Sequence, residues 1–379
     1  MQVTSVKLYD PNPEIMRLLA GSKIYVTVMV PNQEIINIDT NHSFAVKWVQ
    51  DNVLAYYPAT MIRFIMVGNE ILSHHRSAED MQIWNHLVPA MYKIKNILKA
   101  NSIQNIKVGT PLAMDVLQTT SPPSNATFRS DIALTVMPQL LKFLNGTKSY
   151  FFIDAYPYFP WSANPTNASL DYALFKSQTN YTDPGSGLVY TNQLDEMLDS
   201  VLFAMTKLGY PDIRLFISET GWPHEGDLDE PGANIYNAAI YNRNLDGPGT
   251  ERHWGLLHSD GSPVFDIDMT GSRADSEYEA LPEGHNNQAY KGKIWCVAAR
   301  GADMTRLGRE LRYACNQGNR TCEALDPGKE CYEPVSLIWH ASYAFSSYWK
   351  QFKSQGATCY FHGLAVQTTR DPGEKKFFL

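Results

Sequence analysis

Residues Phe64-Ile65-Met66-Val67-Gly68-Asn69-Glu70 form an apolar run that ends in a glycine, an asparagine and a glutamate. Such a run is typical of a strand whose two faces are both buried. Five further runs rich in β-branched or aromatic residues occur at 6–10, 24–32, 106–112, 150–159 and 213–223. Between the runs lie apolar residues at helical spacing, such as Phe44, Trp48, Val49 and Val53. This alternation predicts a parallel sheet, in either a (β/α)8 barrel or a doubly wound domain.

Two of these runs end in a glutamate. Glu70 follows the run quoted above, and Glu219 follows the run that begins at 213. In an α/β barrel the catalytic groups lie where the strands end at their carboxyl side. Either glutamate alone is equally well explained as a solvated loop residue. Two carboxyls in one barrel mouth are what glycoside hydrolysis requires, because one protonates the leaving oxygen while the other attacks the anomeric carbon or activates water.

Aromatic residues lie close to both glutamates in the sequence. The segment Tyr156–Trp161 begins where one predicted strand ends, and Trp222 lies near Glu219. Aromatic rings stack on the apolar faces of sugars, although an aromatic run is more often part of a hydrophobic core. The position at a strand end favours a sugar-binding cleft.

Composition argues against several other classes of protein. A formal net charge of −7 and an isoelectric point near 5.8 give no electrostatic footprint for nucleic acid or an anionic membrane. No apolar stretch of about 18 residues is present, so we expect no membrane span. A nicotinamide-dependent oxidoreductase would need a Gly-x-Gly-x-x-Gly turn after its first strand, and none is found there. We therefore expect that the protein binds no cofactor and no metal. We also expect it to be a monomer.

The cysteines and the glycosylation signals point to an extracellular protein. No cysteine pair has the spacing of a structural zinc site, so disulfides are the better interpretation. All five cysteines lie in the last quarter of the chain, at Cys296, Cys315, Cys322, Cys331 and Cys359. The N-x-[ST] glycosylation signals are at Asn41, Asn125, Asn145, Asn167, Asn180 and Asn319. The first residues do not have the basic start and apolar core of a secretory signal.

Four segments resemble glycoside hydrolase family 17 in order and spacing, namely Val6–Asp10, Val67–Glu70, Asp154–Phe159 and Ser218–Pro223. The resemblance implies a (β/α)8 barrel over residues 1–270 that hydrolyses internal bonds of 1,3-β-D-glucan with retention of configuration. It makes Glu70 the general acid/base and Glu219 the nucleophile. We expect the substrate-binding residues to be Tyr9, Asn69, Tyr156, Phe159 and Trp222.

The barrel is expected to be incomplete, with its first and eighth strands missing. The first residues already match the second strand of the family, and Leu245 is followed at once by Asp246-Gly247-Pro248 where the eighth strand belongs. That strand normally brings another glutamate and a lysine to the cleft. An alternative is therefore a catalytically impaired glucan-binding protein of the cell wall, although the retained Glu70 and Glu219 favour an enzyme.

After a polar linker at 271–291, residues 292–379 resemble carbohydrate-binding module family 43, through Trp295–Ala298, Cys331–Pro334 and His340–Phe345. The resemblance implies a small, mainly helical, disulfide-rich module that binds 1,3-β-glucan, a callose-type polysaccharide of the plant cell wall. The family has six cysteines in its usual framework. It implies the pairs Cys296–Cys359 and Cys322–Cys331 here and leaves Cys315 unpaired, because the sixth cysteine is absent.

Overall fold

The chain forms two compact units in a computed structural model, one of residues 1–224 and 233–284 and one of residues 225–232 and 285–379. The residues that the structure describes are 4–73, 82–166, 168–244, 264–266, 273, 277–278, 280–282, 284, 286–288, 290–317 and 320–372. The division after residue 284 falls within the predicted linker. The short segment 225–232, which follows the motif around Glu219, belongs to the second unit, and this was not predicted.

Parallel strands organise the first unit. Strands β1 to β4 are hydrogen-bonded in sequence order, and β5, β8 and β11 form a second sheet in the order β11-β8-β5. The hairpins β6–β7 and β9–β10 are antiparallel. The strands are β1 Ser5–Lys7, β2 Tyr25–Val30, β3 Met61–Val67, β4 Lys107–Gly109, β5 Pro111–Ala113, β6 Leu117–Thr119, β7 Thr127–Phe128, β8 Phe151–Asp154, β9 Tyr181–Thr182, β10 Val189–Tyr190 and β11 Leu215–Glu219.

Each of the six predicted runs overlaps a parallel strand, so this part of the prediction is confirmed. The run at 106–112 contains parts of two strands, β4 and β5, separated by Thr110. A Cβ atom at Gly109 would lie 2.2 Å from the Phe152 ring, so only a glycine lets this ring pack against β4. Within the described ranges, the hydrogen-bonded strands do not close into a ring.

Both faces of β3 are buried, which explains its continuous apolar sequence. Ile65 and Val67 belong to the large core between the strands and the helices. Phe64 and Met66 point to the other face, where they form an inner cluster with Phe152. This inner cluster lies below the ends of the strands that carry the polar residues.

The helices of the first unit bury the apolar stripes predicted for them. In α9, the positions Leu194, Met197 and Val201 are buried, and the Asn192 side chain caps the helix by accepting a hydrogen bond from the Asp195 N–H at 2.9 Å. No described helix combines the length and apolar character needed to cross a bilayer. The helices are α1 Pro13–Leu18, α2 Ile35–Thr40, α3 His42–Val49, α4 Trp84–Ala100, α5 Ser130–Ala133, α6 Met137–Thr147, α7 Tyr158–Ala163, α8 Leu170–Ala173, α9 Gln193–Lys207 and α10 Ile235–Asn244.

The second unit packs two helices, α11 Met304–Asn316 and α12 Leu337–Phe352, with a two-stranded antiparallel sheet. The strands of this sheet are β12 Trp295–Ala298 and β13 Ala365–Thr368. Ser342 and Ser346 of α12 accept hydrogen bonds from backbone N–H groups of β12 at 3.0 and 2.9 Å, which fixes the helix on the sheet. The predicted small, mainly helical module agrees with this arrangement.

Two disulfides join Cys296 to Cys359 and Cys315 to Cys322, and Cys331 is a free thiol. The first pair is the one that the family resemblance implies. The structure contradicts the predicted Cys322–Cys331 pair and the predicted free Cys315. Cys315 lies in the last turn of α11, and the chain turns back within seven residues, so its Cα lies 5.2 Å from that of Cys322. This separation is within the range that a disulfide requires.

Candidate active site

Glu219 is the last residue of β11, and three side chains donate hydrogen bonds to its carboxylate. Lys7 Nζ and Tyr9 OH each lie 2.6 Å from Oε1, and Tyr156 OH lies 2.8 Å from Oε2. An ammonium and two phenols fix the orientation of the carboxylate and balance its charge. Burial, together with the adjacent Glu219, raises the pKa of Tyr9 and Tyr156 well above the usual range, so both phenols remain donors.

Glu70 lies in the turn after β3, and contacts with neighbouring residues fix the backbone conformation of this turn. Gly68 has φ +74°, and a Cβ atom there would lie 2.8 Å from Ile35 Cδ1, so the position requires glycine. The Asn32 side chain fixes the backbone of Asn69 with two hydrogen bonds. Its Oδ1 accepts from the Asn69 N–H at 2.7 Å, and its Nδ2 donates to the Asn69 carbonyl at 3.2 Å. Glu70 itself has φ +47°, a conformation that is uncommon outside glycine and that concentrates at functional sites.

Asp154 is a third carboxyl in the same site. It ends β8, is only 2% exposed, and its Oδ1 accepts a hydrogen bond from Ser218 Oγ at 2.5 Å. Its Oδ2 is buried without a hydrogen-bond partner among the described residues. Burial raises the pKa of Asp154 to about 8; Lys7 opposes this rise, whereas Glu219 and Glu70 add to it. Asp154 is therefore a proton-carrying group beside two other carboxyls.

The spacing of these carboxyls suits a direct attack on a sugar. One carboxylate oxygen from each of Glu70, Asp154 and Glu219 lies within 4.8 Å of the others. Retaining glycosidases hold their two carboxyls about 5–5.5 Å apart, whereas inverting enzymes leave about 6.5–9.5 Å for a water. The same three oxygens could hold a hard divalent cation. Lys7, however, already places an ammonium on Glu219.

A cleft of about 470 Å³ opens beside the carboxyls. It is lined by Glu70, Ser73, Ala113, Met114, Asp115, Asp154, Tyr156, Phe159, Pro160 and Met197. Phe159 is 62% exposed, and its ring centroid lies 5.7 Å from that of Tyr156. The structure thus brings Glu70, Tyr156 and Phe159 into one cleft, with Tyr9 bound to the neighbouring Glu219.

Trp222 does not join this cleft, and the prediction that it binds substrate is contradicted. Its side chain is 5% exposed and lies in an aromatic cluster, with ring centroids 5.2 Å from Tyr158, 5.5 Å from Trp161 and 5.8 Å from Tyr241. The motif leads the chain from β11 into this second core, and the indole fills it. With 5% of its surface exposed, Trp222 offers no open ring face for stacking on a sugar.

Three residues that the sequence did not single out shape the site, namely Lys7, Asn32 and Asp154. Lys7 ends β1 and Asp154 ends β8, and both lie within motifs that resemble the family, which is the signal that could have identified them. Asn32 lies two residues after β2, at the end of the predicted run 24–32 and outside the motifs quoted for the family.

The predicted glycosylation sites that the structure describes have exposed asparagines, at Asn41, Asn125, Asn145 and Asn180. Asn41 also caps α3, because its side chain accepts a hydrogen bond from the Phe44 N–H at 3.0 Å. Asn167 and Asn319 lie outside the described residues.

Comparison with known families agrees with this geometry. Residues 1–247 match the model of the glycosyl hydrolases family 17, and residues 294–366 match the X8 domain. The chain belongs to glycosyl hydrolase family 17. Probable glucan endo-1,3-beta-glucosidase A6 of Arabidopsis thaliana is 54% identical to it, over 98% of this chain and 84% of that protein. Glucan endo-1,3-beta-glucosidase 4 of the same plant is 35% identical, over 98% of this chain and 77% of its own.

Solved structures of family 17 share the fold of the first unit. CJP38, a beta-1,3-glucanase and allergen of Cryptomeria japonica pollen, superposes with a TM-score of 0.62 at 35% identity, covering 70% of this chain and 89% of its own. A plant beta-glucan endohydrolase gives a TM-score of 0.62 at 29% identity, with 70% and 90% covered. The family fold is of TIM-barrel type, which confirms the predicted barrel class but does not test the predicted absence of two strands.

Proposed function

We propose that this family 17 chain is a retaining glucan endo-1,3-β-D-glucosidase that hydrolyses internal linkages of 1,3-β-glucans. The observation that carries the proposal is the Glu219 carboxylate, fixed by three donors and close to Glu70. The named relatives, which are glucan endo-1,3-beta-glucosidases, supply the linkage. The intact environment of Glu219 favours an enzyme over an impaired glucan-binding protein.

In this mechanism Glu70 donates its proton to the glycosidic oxygen while a Glu219 oxygen attacks the anomeric carbon. The bond to the leaving sugar breaks, and a covalent glycosyl-enzyme forms. Glu70, now ionised, then removes a proton from water, and the resulting attack on the anomeric carbon releases the sugar with its configuration retained. Lys7, Tyr9 and Tyr156 orient Glu219 for the attack and stabilise its charge when it leaves.

The cleft suits binding within a long polysaccharide. Tyr156 and Phe159 offer aromatic faces for pyranose rings, and Tyr9 lies at the nucleophile. Asn69 precedes Glu70 in the clamped turn, from which its amide would bind a sugar hydroxyl. These four residues are our proposed substrate contacts.

We further propose that the protein acts outside the cell, on callose-type glucan of the plant cell wall, as a monomer. Two disulfides and the exposed glycosylation signals support an oxidising, secretory environment. The X8 match over 294–366 supports a second, glucan-binding function in the C-terminal unit.

We also propose that the barrel lacks its eighth strand. The predicted gap after Leu245 lies outside the described residues. The alignment with the A6 protein spans 404 positions, more than the 379 residues of this chain, so that protein has residues that this chain lacks, which supports a missing segment. An unclosed barrel leaves strand edges with unpaired backbone groups, so we expect poor expression and low activity. The test compares reducing-end release from 1,3-β-glucan by this chain and by a version with the segment restored, at equal folded concentration; comparable rates would overturn the expected low activity, and an equal folded fraction as well would overturn the proposal.

The catalytic assignment is tested on the version with the segment restored. Glu219→Gln should lower turnover by several orders of magnitude, because the nucleophile is lost. Glu70→Gln should be partly rescued by azide or by an activated leaving group, since neither needs the acid. Glu14→Gln, an exposed glutamate of α1, is the matched control. Near-normal turnover in either cleft variant would remove that residue from the mechanism.

A further inference from the structure

A groove of about 420 Å³ lies between α3 and α4 in the first unit. This size is in the range of small-molecule sites, about 300–1,000 Å³. Its principal lining residues are His42, Val46, Pro89, Tyr92, Lys93 and Asn96. None of its lining residues also lines the cleft beside Glu70. The α3–α4 groove is therefore a separate surface, to which the proposed mechanism gives no role.

One wall of the α3–α4 groove is an aromatic ring that is held in place by the core. Tyr92 is 42% exposed, and its ring packs nearly perpendicular to that of buried Phe143, with centroids 4.7 Å apart. This contact fixes the ring while part of it stays open to solvent. Val46 and Pro89 are half-buried beside it and add apolar surface. Such a wall suits the C–H face of a sugar ring, and little entropy is lost when the sugar binds.

An attachment point for a sugar lies one residue from this groove. Asn41 is the acceptor of the glycosylation signal Asn41-His42-Ser43, and His42 lines the groove. The exposed Asn41 side chain caps α3, because its Oδ1 accepts from the Phe44 N–H at 3.0 Å. Glycosylation uses Nδ2 and leaves Oδ1 an acceptor, so cap and glycan are compatible. Because the cap orients the amide, an attached sugar starts from a fixed position.

We propose that the α3–α4 groove holds the first N-acetylglucosamine units of an N-linked glycan on Asn41. In this modification Nδ2 of Asn41 loses a proton and bonds to the anomeric carbon of the first sugar, while the diphosphate of a lipid-linked oligosaccharide donor leaves. Tyr92 stacks on the sugar, and Lys93 and Asn96 bind its hydroxyl and acetamide groups. Attachment makes the binding intramolecular, so weak contacts suffice. The inference rests on the proposed extracellular location, since N-glycans are added in the secretory pathway.

Asn180 provides a reference within the same chain. It is the exposed acceptor of another glycosylation signal and lies directly before β9. Neither Asn180 nor its neighbours in the chain line the α3–α4 groove or the catalytic cleft. We therefore expect a glycan on Asn180 to extend into solvent, where an enzyme reaches its first sugar easily.

The test measures how fast a peptide N-glycosidase that accepts plant glycans releases each glycan from the folded full chain. The chain is secreted by plant cells behind a signal peptide, and mass spectrometry follows Asn41 and Asn180 separately. Release at Asn41 should be about tenfold slower than at Asn180, and the two rates should be similar after denaturation. Tyr92→Ala should remove the difference, because the stacked ring is lost. Tyr25→Ala, which removes a tyrosine that is 41% exposed and outside the groove lining, should retain it.

Three results would overturn the inference and leave the proposed location standing: equal release from both sites of the folded parent, slow release at Asn41 in folded Tyr92→Ala, or an Asn41 without glycan beside an occupied Asn180. If Tyr92→Ala fails to fold, Tyr92→Leu decides instead, because leucine can pack on Phe143 but offers no flat face. Protein isolated from plant tissue with no glycan at any described signal would count against the location and the inference together.

Discussion

Asp154→Asn should stabilise the folded chain increasingly as the pH rises from 5 to 7. The Asp154 carboxyl is buried, and burial raises its pKa to about 8. In the unfolded chain an aspartate titrates near 3.9. Between these values the native state retains a proton that the unfolded state has lost. The stabilising contribution of Asp154 is thus complete below about pH 3.9 and is lost as the pH rises through about 8.

The magnitude follows from the same shift. Each pH unit in this window changes the free energy of unfolding by about 1.4 kcal/mol, so the difference between variant and parent should grow by about 3 kcal/mol between pH 5 and pH 7. Asparagine has the same shape and keeps an oxygen to accept the Ser218 hydrogen bond. It carries no charge at any pH, so it removes the titration without opening a cavity.

Urea unfolding followed by tryptophan fluorescence at pH 5, 6 and 7 measures this difference, with Asp171→Asn as the control for removing one carboxyl group from the chain. The groups that face Asp154, namely Lys7, Tyr9, Glu70, Tyr156 and Glu219, are left unchanged. A difference that is constant across the three pH values would refute the reasoning, because Asp154 would then ionise equally easily in both states. The variant should also retain kcat/KM above pH 8, where the parent gains a further negative charge beside the nucleophile.

Three further predictions test other parts of the structure. Lys7→Met should lower kcat/KM about 100-fold, because Glu219 loses its ammonium partner, and reducing-end assays would measure this. Gly68→Ala should destabilise the chain by about 2 kcal/mol and lower activity; Gly187→Ala, with φ +74° but open space around it, isolates the backbone contribution in urea unfolding. Maleimide mapping of the oxidised chain should label Cys331 alone, and slowly at neutral pH, because burial raises the pKa of its thiol; labelled Cys315 would contradict the disulfide pairs.

Local patterns in the sequence were sufficient for the strands and for the two glutamates. The run that contains β3 is apolar because both of its faces are buried, and this is visible in a single stretch of chain. Glu70 and Glu219 follow such runs directly. Parallel strands bring their carboxyl ends together, so the meeting of these residues follows from topology alone.

The residues that were missed or wrongly assigned are those whose surroundings depend on contacts between distant parts of the chain. Lys7 reaches Glu219 across a sequence separation of 212, and no local pattern specifies such a pair. Trp222 was assigned to the cleft by its proximity in sequence, but the turn after β11 directs it into the second core. The Cys322 pairing was inferred from a six-cysteine framework, whereas the position of Cys315 in the last turn of α11, with its Cα 5.2 Å from that of Cys322, decided it.

An eighth strand could act in two ways, by covering exposed strand edges or by supplying catalytic groups, and the hydrogen-bond donors to Glu219 help to distinguish them. Lys7 and Tyr156 come from β1 and from the segment after β8, so the nucleophile is oriented by parts of the chain that are already present. A restored strand would cover exposed edges and bring further polar groups to the cleft. If edge protection dominates, restoration should raise the folded fraction while kcat per folded molecule changes little. A large rise in kcat per folded molecule would instead show that the added polar groups of the cleft take part in catalysis.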